Sequence, residues 1–168
     1  EPRARRNALQ ELRGGFWWWI PSQQAAFAQI LLKDVDSADV SVEEKVKYVQ
    51  QLSQLTFVDP QPLFELANSE ESAIQEAALR SLGHLDSDQG LPVLIEALSD
   101  ERARVAIYSL RNQMRTMSKS KTFALLSSIP QAKVTVSKET TRLIGELGTD
   151  QAYQYLLEKE RADLHADV

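Results

Sequence analysis

Adjacent apolar pairs stand at Leu63-Phe64, Leu94-Ile95, Leu125-Leu126 and Leu156-Leu157, an unbroken step of thirty-one residues. A chain whose apolar pattern returns at that period folds as a row of like units, not around one central nucleus. Ala67, Leu98 and Ile129 follow four residues after the first member of their pairs, as the buried stripe of a short helix requires. Longer helical patterns lie between these. Val46, Val49, Leu52 and Leu55 form one stripe, and Ala78, Leu79, Leu82 and Leu85 a second. Ala106, Ile107, Leu110 and Met114 form a third, and Thr140, Leu143, Ile144 and Leu147 a fourth. Ser41 with Glu44 three later, Asp100, Ser137 and Asp150 mark helix starts, while Gly83 and Gly148 mark ends or bends. No period-two strand is legible. A two-helix unit of this length cannot bury its stripe alone, so neighbours must supply the missing contacts. The expected fold is all-α: a right-handed α-solenoid of about four stacked antiparallel helix pairs, first helices outside and second helices inside.

The stretch "AALRSLGHLDSDQGLPVLIEALSDERARVAIYSL" resembles the HEAT repeat of the bacterial, phycobilisome-lyase-like type. That pattern runs alanine-alanine-x-x-leucine-glycine, a short acidic turn, then proline-x-leucine-isoleucine-x-x-leucine. The likeness is close over residues 60–117 and in phase over 22–59 and 118–161. Two departures stand out: Arg111 replaces the glycine after Leu110, and "MSKSKTF" lacks the acidic turn. "ARRNALQELRGG" resembles a second helix, and "LHADV" the start of another. The expectation is therefore one solenoid segment over 1–168, cut from a longer array, with a tryptophan-rich inserted turn at 14–21.

That insert, "GGFWWWIPS", puts Trp17, Trp18 and Trp19 in a row. Consecutive residues point in different directions, so the three cannot share one core stripe. Together they would expose roughly 450–750 Å², at or above the largest patch of a typical monomer. Three readings stay open: a turn folded over the first helical pair, ended by Pro21 with Ser22 capping the next helix; anchors for a partner protein; or an interfacial membrane anchor, for which the neighbouring helix lacks a lysine-rich face.

Charge is segregated along the chain. Residues 34–101 carry three Lys/Arg against fifteen Asp/Glu, and 102–142 carry nine against one. On the helix expected over 101–116, Arg104, Tyr108, Arg111 and Arg115 recur at steps of four, three and four, and so share a face. Lys138 and Arg142 hold the places of Arg104 and Tyr108 in the next repeat, and Arg80 that of Tyr108 in the one before. The resemblance puts this stripe on the concave side. It reads either as a solvated face with local pairing or as a binding stripe for an acidic protein segment, phosphate or nucleic acid. The acidic block would repel a long duplex, which favours a protein partner.

Catalytic chemistry finds no footing. With no cysteine, thiol catalysis and zinc-thiolate sites are excluded. His84 and His165 stand far apart in the repeat series, so no metal cluster or serine triad forms from readable spacing. Aligned from Asp34, the acidic run with Asp36 and Asp39 puts Asp39 where the EF-hand needs glycine and Lys45 where it needs glutamate. A polar loop leading to Ser41 accounts for the same residues. Ser118 and Lys121 make a bare S-x-x-K without its companion motifs. HEAT relatives that hydroxylate a modified lysine carry His-Glu pairs, absent here, and no local group marks the bilin attachment that the resemblance also admits.

The expected function is a non-enzymatic scaffold that offers a preformed surface to a protein partner or to other domains of a longer parent chain. No cofactor, metal or membrane is called for. Without a run of eighteen apolar residues or a leader-like segment, a cytoplasmic location is the expectation.

Overall fold

The computed structural model describes residues 19–55, 58–85, 88–131 and 133–160. Among these, nine α-helices follow one another with no strand. They are α1 (Pro21–Val35), α2 (Val42–Leu52), α3 (Gln61–Leu66), α4 (Ser72–Leu82), α5 (Leu91–Glu96), α6 (Ala103–Met114), α7 (Lys119–Ser128), α8 (Val134–Glu146) and α9 (Asp150–Glu160). A 3-10 turn at Ala97–Ser99 extends α5. Among the described residues the fold is all-α, consistent with the α-solenoid class expected from the sequence. The chain divides into two compact units, Glu1–Ala78 and Leu79–Val168, with the boundary inside α4.

In the first unit α1 packs on α2. Phe27, Ala28, Leu31 and Val35 form the buried stripe of α1, and Tyr48, Val49 and Leu52 that of α2. In the second unit α5 packs on α6, α7 on α8, α6 on α8, and α8 on α9. Leu79, Leu82, Leu94, Ile107, Leu110, Leu126, Val136, Thr140 and Ile144 are among its fully enclosed side chains. The apolar step expected from the sequence is visible in burial: Leu63 and Leu94 are inside, as are Ala67, Leu98 and Ile129. At the third pair the buried member is Leu126, the second of the two, because α7 turns Thr122, Phe123 and Leu126 inward. Both members of the fourth pair, Leu156 and Leu157, are half-buried.

Helix starts follow local chemistry in some places and override it in others. Ser41 and Glu44 form the expected reciprocal cap: Glu44 N–H donates to Ser41 Oγ and Ser41 N–H to Glu44 Oε2, each at 3.4 Å. Gly148, at φ +59°, ends α8 in the left-handed region that glycine adopts at no steric cost. Pro21 opens α1 at its first position, so Ser22, expected to cap this helix, lies inside it and Ile20 is the cap residue. Proline's missing N–H and fixed φ suit that place. Ser137 is likewise no cap, for α8 begins at Val134 and turns Ser137 onto its buried face. Thr149, one residue before Asp150, caps α9 by accepting Ala152 N–H at 3.2 Å. Asp34 belongs to the last turn of α1 and is buried, so it is no part of a polar loop.

Candidate functional site

The expected binding stripe lies in the second unit, and its geometry starts at Asp100. This carboxylate accepts Arg102 N–H at 2.9 Å, and Ala103 N–H bonds the Asp100 carbonyl at 3.3 Å, which sets the turn that leads into α6. Arg102 folds back onto the same carboxylate, Nη2 to Oδ2 at 2.6 Å, and Lys133 Nζ donates to the Asp100 carbonyl from the turn before α8. Asp100 is thus not the cap residue of α6, which is Arg102, but it fixes the turn that leads into the helix and ties that turn to the approach of α8. The hydrogen bond from Arg102 holds the Asp100 carboxyl below its usual range, against a burial effect of opposite sign.

A carboxyl depressed on folding contributes stability that is present above its unfolded value, about 3.9, and is lost as pH falls through the folded value. Asp100→Ala is expected to cost about 0.5–1.5 kcal/mol at pH 7, the net contribution of one such hydrogen bond. Urea melts should show this gap between variant and wild type narrowing below about pH 4.

α6 runs from Ala103 because Ala106, Ile107 and Leu110 give it a buried face. Opposite this stripe stand Arg104, exposed, and Tyr108, 45% exposed. Arg115 is exposed just past the helix end, and Arg111 is half-buried. On α8, which packs beside α6, Lys138 and Arg142 are exposed. Arg104, Tyr108 and Arg111 thus lie on α6, Arg115 one residue past its end, and Lys138 and Arg142 on the adjoining α8. Arg80 is exposed on α4. Of the tryptophans, Trp17 and Trp18 lie outside the described residues. Trp19 is half-buried and meets Phe27 edge to face, centroids 5.2 Å apart, while its carbonyl accepts Gln24 Nε2 at 3.3 Å.

The carboxylates on this face escaped the sequence analysis. Arg142 donates to Glu139 Oε2 through Nε at 3.0 Å and Nη2 at 2.6 Å, and also bonds Glu146. Its guanidinium is raised above its ordinary value, first by the Glu139 hydrogen bond. Arg111 Nη2 stands 4.0 Å from Glu146. The i,i+3 and i,i+4 spacings of Glu139, Arg142 and Glu146 were the signal that could have found these pairs.

Where α6, α7 and α8 come together, an open cavity of about 260 Å³ is floored by Met114, Met117, Leu143 and Leu147. Arg111, Arg115, Lys119 and Glu146 form its rim. Spacing along single helices gave no sign of it. Among the described residues no group of three or more His, Asp or Glu is arranged to hold a metal ion, and no helix is long and apolar enough to cross a membrane.

Residues 74–100 match the family described as PBS lyase HEAT-like repeat. No curated protein and no solved structure gives a significant match. The matched stretch takes in most of α4, the turn after it, and α5 with its 3-10 extension. Set in the all-helical, thirty-one-residue framework around it, this stretch is similar to a HEAT-like repeat.

Proposed function

We propose that the chain is a protein-interaction scaffold, and that the face formed by α6 and α8 receives a protein segment of acidic or mixed charge. HEAT-like repeats in general serve as non-catalytic scaffolds that mediate protein interactions. The observation that carries the reading here is Tyr108, 45% exposed on a helix face that also holds Arg104, Arg111 and Arg115. Tyrosine and arginine dominate binding hot spots. A face already held by packed helices presents them without an ordering cost. The carboxylates of Glu139 and Glu146 beside Arg142 favour a protein over nucleic acid. Arg142 is committed to them, which removes it from the cations that would displace counterions from phosphates.

The test uses Arg104→Glu combined with Tyr108→Ala, both exposed positions. Partner captured from extract by the wild type should fall by about thirtyfold or more in affinity, as for loss of a hot spot of ~2 kcal/mol, while helical circular dichroism persists. Undiminished capture sinks the assignment. Retention on heparin that collapses between low and moderate salt would turn the reading toward nucleic acid.

A further inference from the structure

We propose that the cavity between α6, α7 and α8 is the seat for one large apolar side chain carried by an acidic protein segment. This rests on the interaction reading above and narrows it to a defined occupant. The repeat register explains why the space exists. A Cβ added to Gly83 would lie 2.7 Å from the Ser109 carbonyl oxygen and 2.8 Å from its Cα, so the chain after α4 meets α6 backbone to backbone. In "AALRSLG", "VAIYSLR" and "ETTRLIG" the place of Gly83 is taken next by Arg111 and then by Gly145. The place of Ser109 is taken by Leu143. Arg111 and Leu143 are therefore the counterparts of the Gly83–Ser109 contact, and both line the cavity. A residue bearing a side chain cannot repeat the approach made at Gly83, and the space that opens there is the pocket.

Its size and lining select the occupant. An apolar cavity of about 150 Å³ admits benzene, whereas pockets for whole small-molecule ligands begin near 300 Å³. A cavity of about 260 Å³ suits one aromatic or branched aliphatic side chain with a little flanking backbone. Methionines in the floor, Met114 and Met117, adapt to the shape of what enters. Around the mouth stand Arg111, Arg115 and Lys119 against one acid, Glu146, which is already bonded by Arg142. The remaining rim charge is positive, which calls for carboxylates beside the apolar residue.

Fluorescence anisotropy tests this with two labelled synthetic dodecapeptides of Asp and Glu, one with a central Phe and one with Ser in its place. The wild type should bind the Phe peptide about tenfold or more tightly, the gain from burying one such side chain. Leu147→Trp, which fills the cavity and leaves the rim charges, should abolish that preference while the Ser peptide binds as before. Met117→Trp is the alternative if Leu147→Trp loses helical signal. Arg115→Glu with Lys119→Glu should weaken both peptides. Equal affinity for the two peptides, no binding of either, or a Phe preference that survives a folded cavity-filling variant overturns the proposal. The wider face is tested separately at Arg104 and Tyr108, which lie outside the cavity, so each reading fails on its own result.

Discussion

Leu110→Ala should lower the unfolding free energy by about 2–5 kcal/mol, the span for leucine truncations in closed cores. Leu110 is fully enclosed, on the helix that packs against both α5 and α8. Three of its near neighbours along α6, Ala103, Ala106 and Ile107, are buried as well, the first two already small. Little side-chain volume is at hand to collapse into the gap, which argues for the upper half of the range. Urea unfolding followed by circular dichroism measures it. A loss below about 1 kcal/mol would place Leu110 in a core that relaxes freely, contrary to close packing.

Gly83→Ala is expected to destabilise by about 1–3 kcal/mol, and Gly145→Ala to stabilise by up to about 1 kcal/mol. Intrinsic propensity favours alanine at Gly145, inside α8, whereas Gly83 lies one residue past α4, where the sign depends on what the new methyl meets. At Gly83 it meets the backbone of Ser109 at 2.7–2.9 Å, which cannot yield without moving α6. At Gly145 the nearest atom is Leu156 Cδ1 at 3.7 Å, ordinary contact. The two glycines hold the same place in the repeat, so comparing their thermal midpoints isolates the neighbour from the residue. Two shifts of the same sign would refute the close approach at Gly83.

Much of the architecture was legible because periodicity records burial directly. Leu63, Leu94, Leu98 and Ile129 are inside where the thirty-one-residue step put them. Helix boundaries were legible only where one side chain decides them. Ser41 with Glu44 does so, but Ser137 looked like a cap and sits a turn inside α8, because its burial outweighed its local preference. Ser22 also looked like a cap, but Pro21 opens α1 one residue before it, because proline suits a first helical position. The candidate face was half legible. Spacing grouped Arg104, Tyr108, Arg111 and Arg115, yet the carboxylates of Glu139 and Glu146 that temper them were missed through attention to one sign of charge. The cavity was beyond reach, since it depends on which ends of three helices converge.

Arg111, standing where Gly83 and Gly145 stand in the flanking repeats, bears on how a chain of this kind can change over time. In a serial array the principal contacts of each unit are with its neighbours, so a bulky residue at one junction leaves the spacing of other junctions alone. A slot for a guest side chain can therefore be opened or shut by a single codon change, one seam at a time, and selectivity is acquired in increments without remaking the framework that carries it.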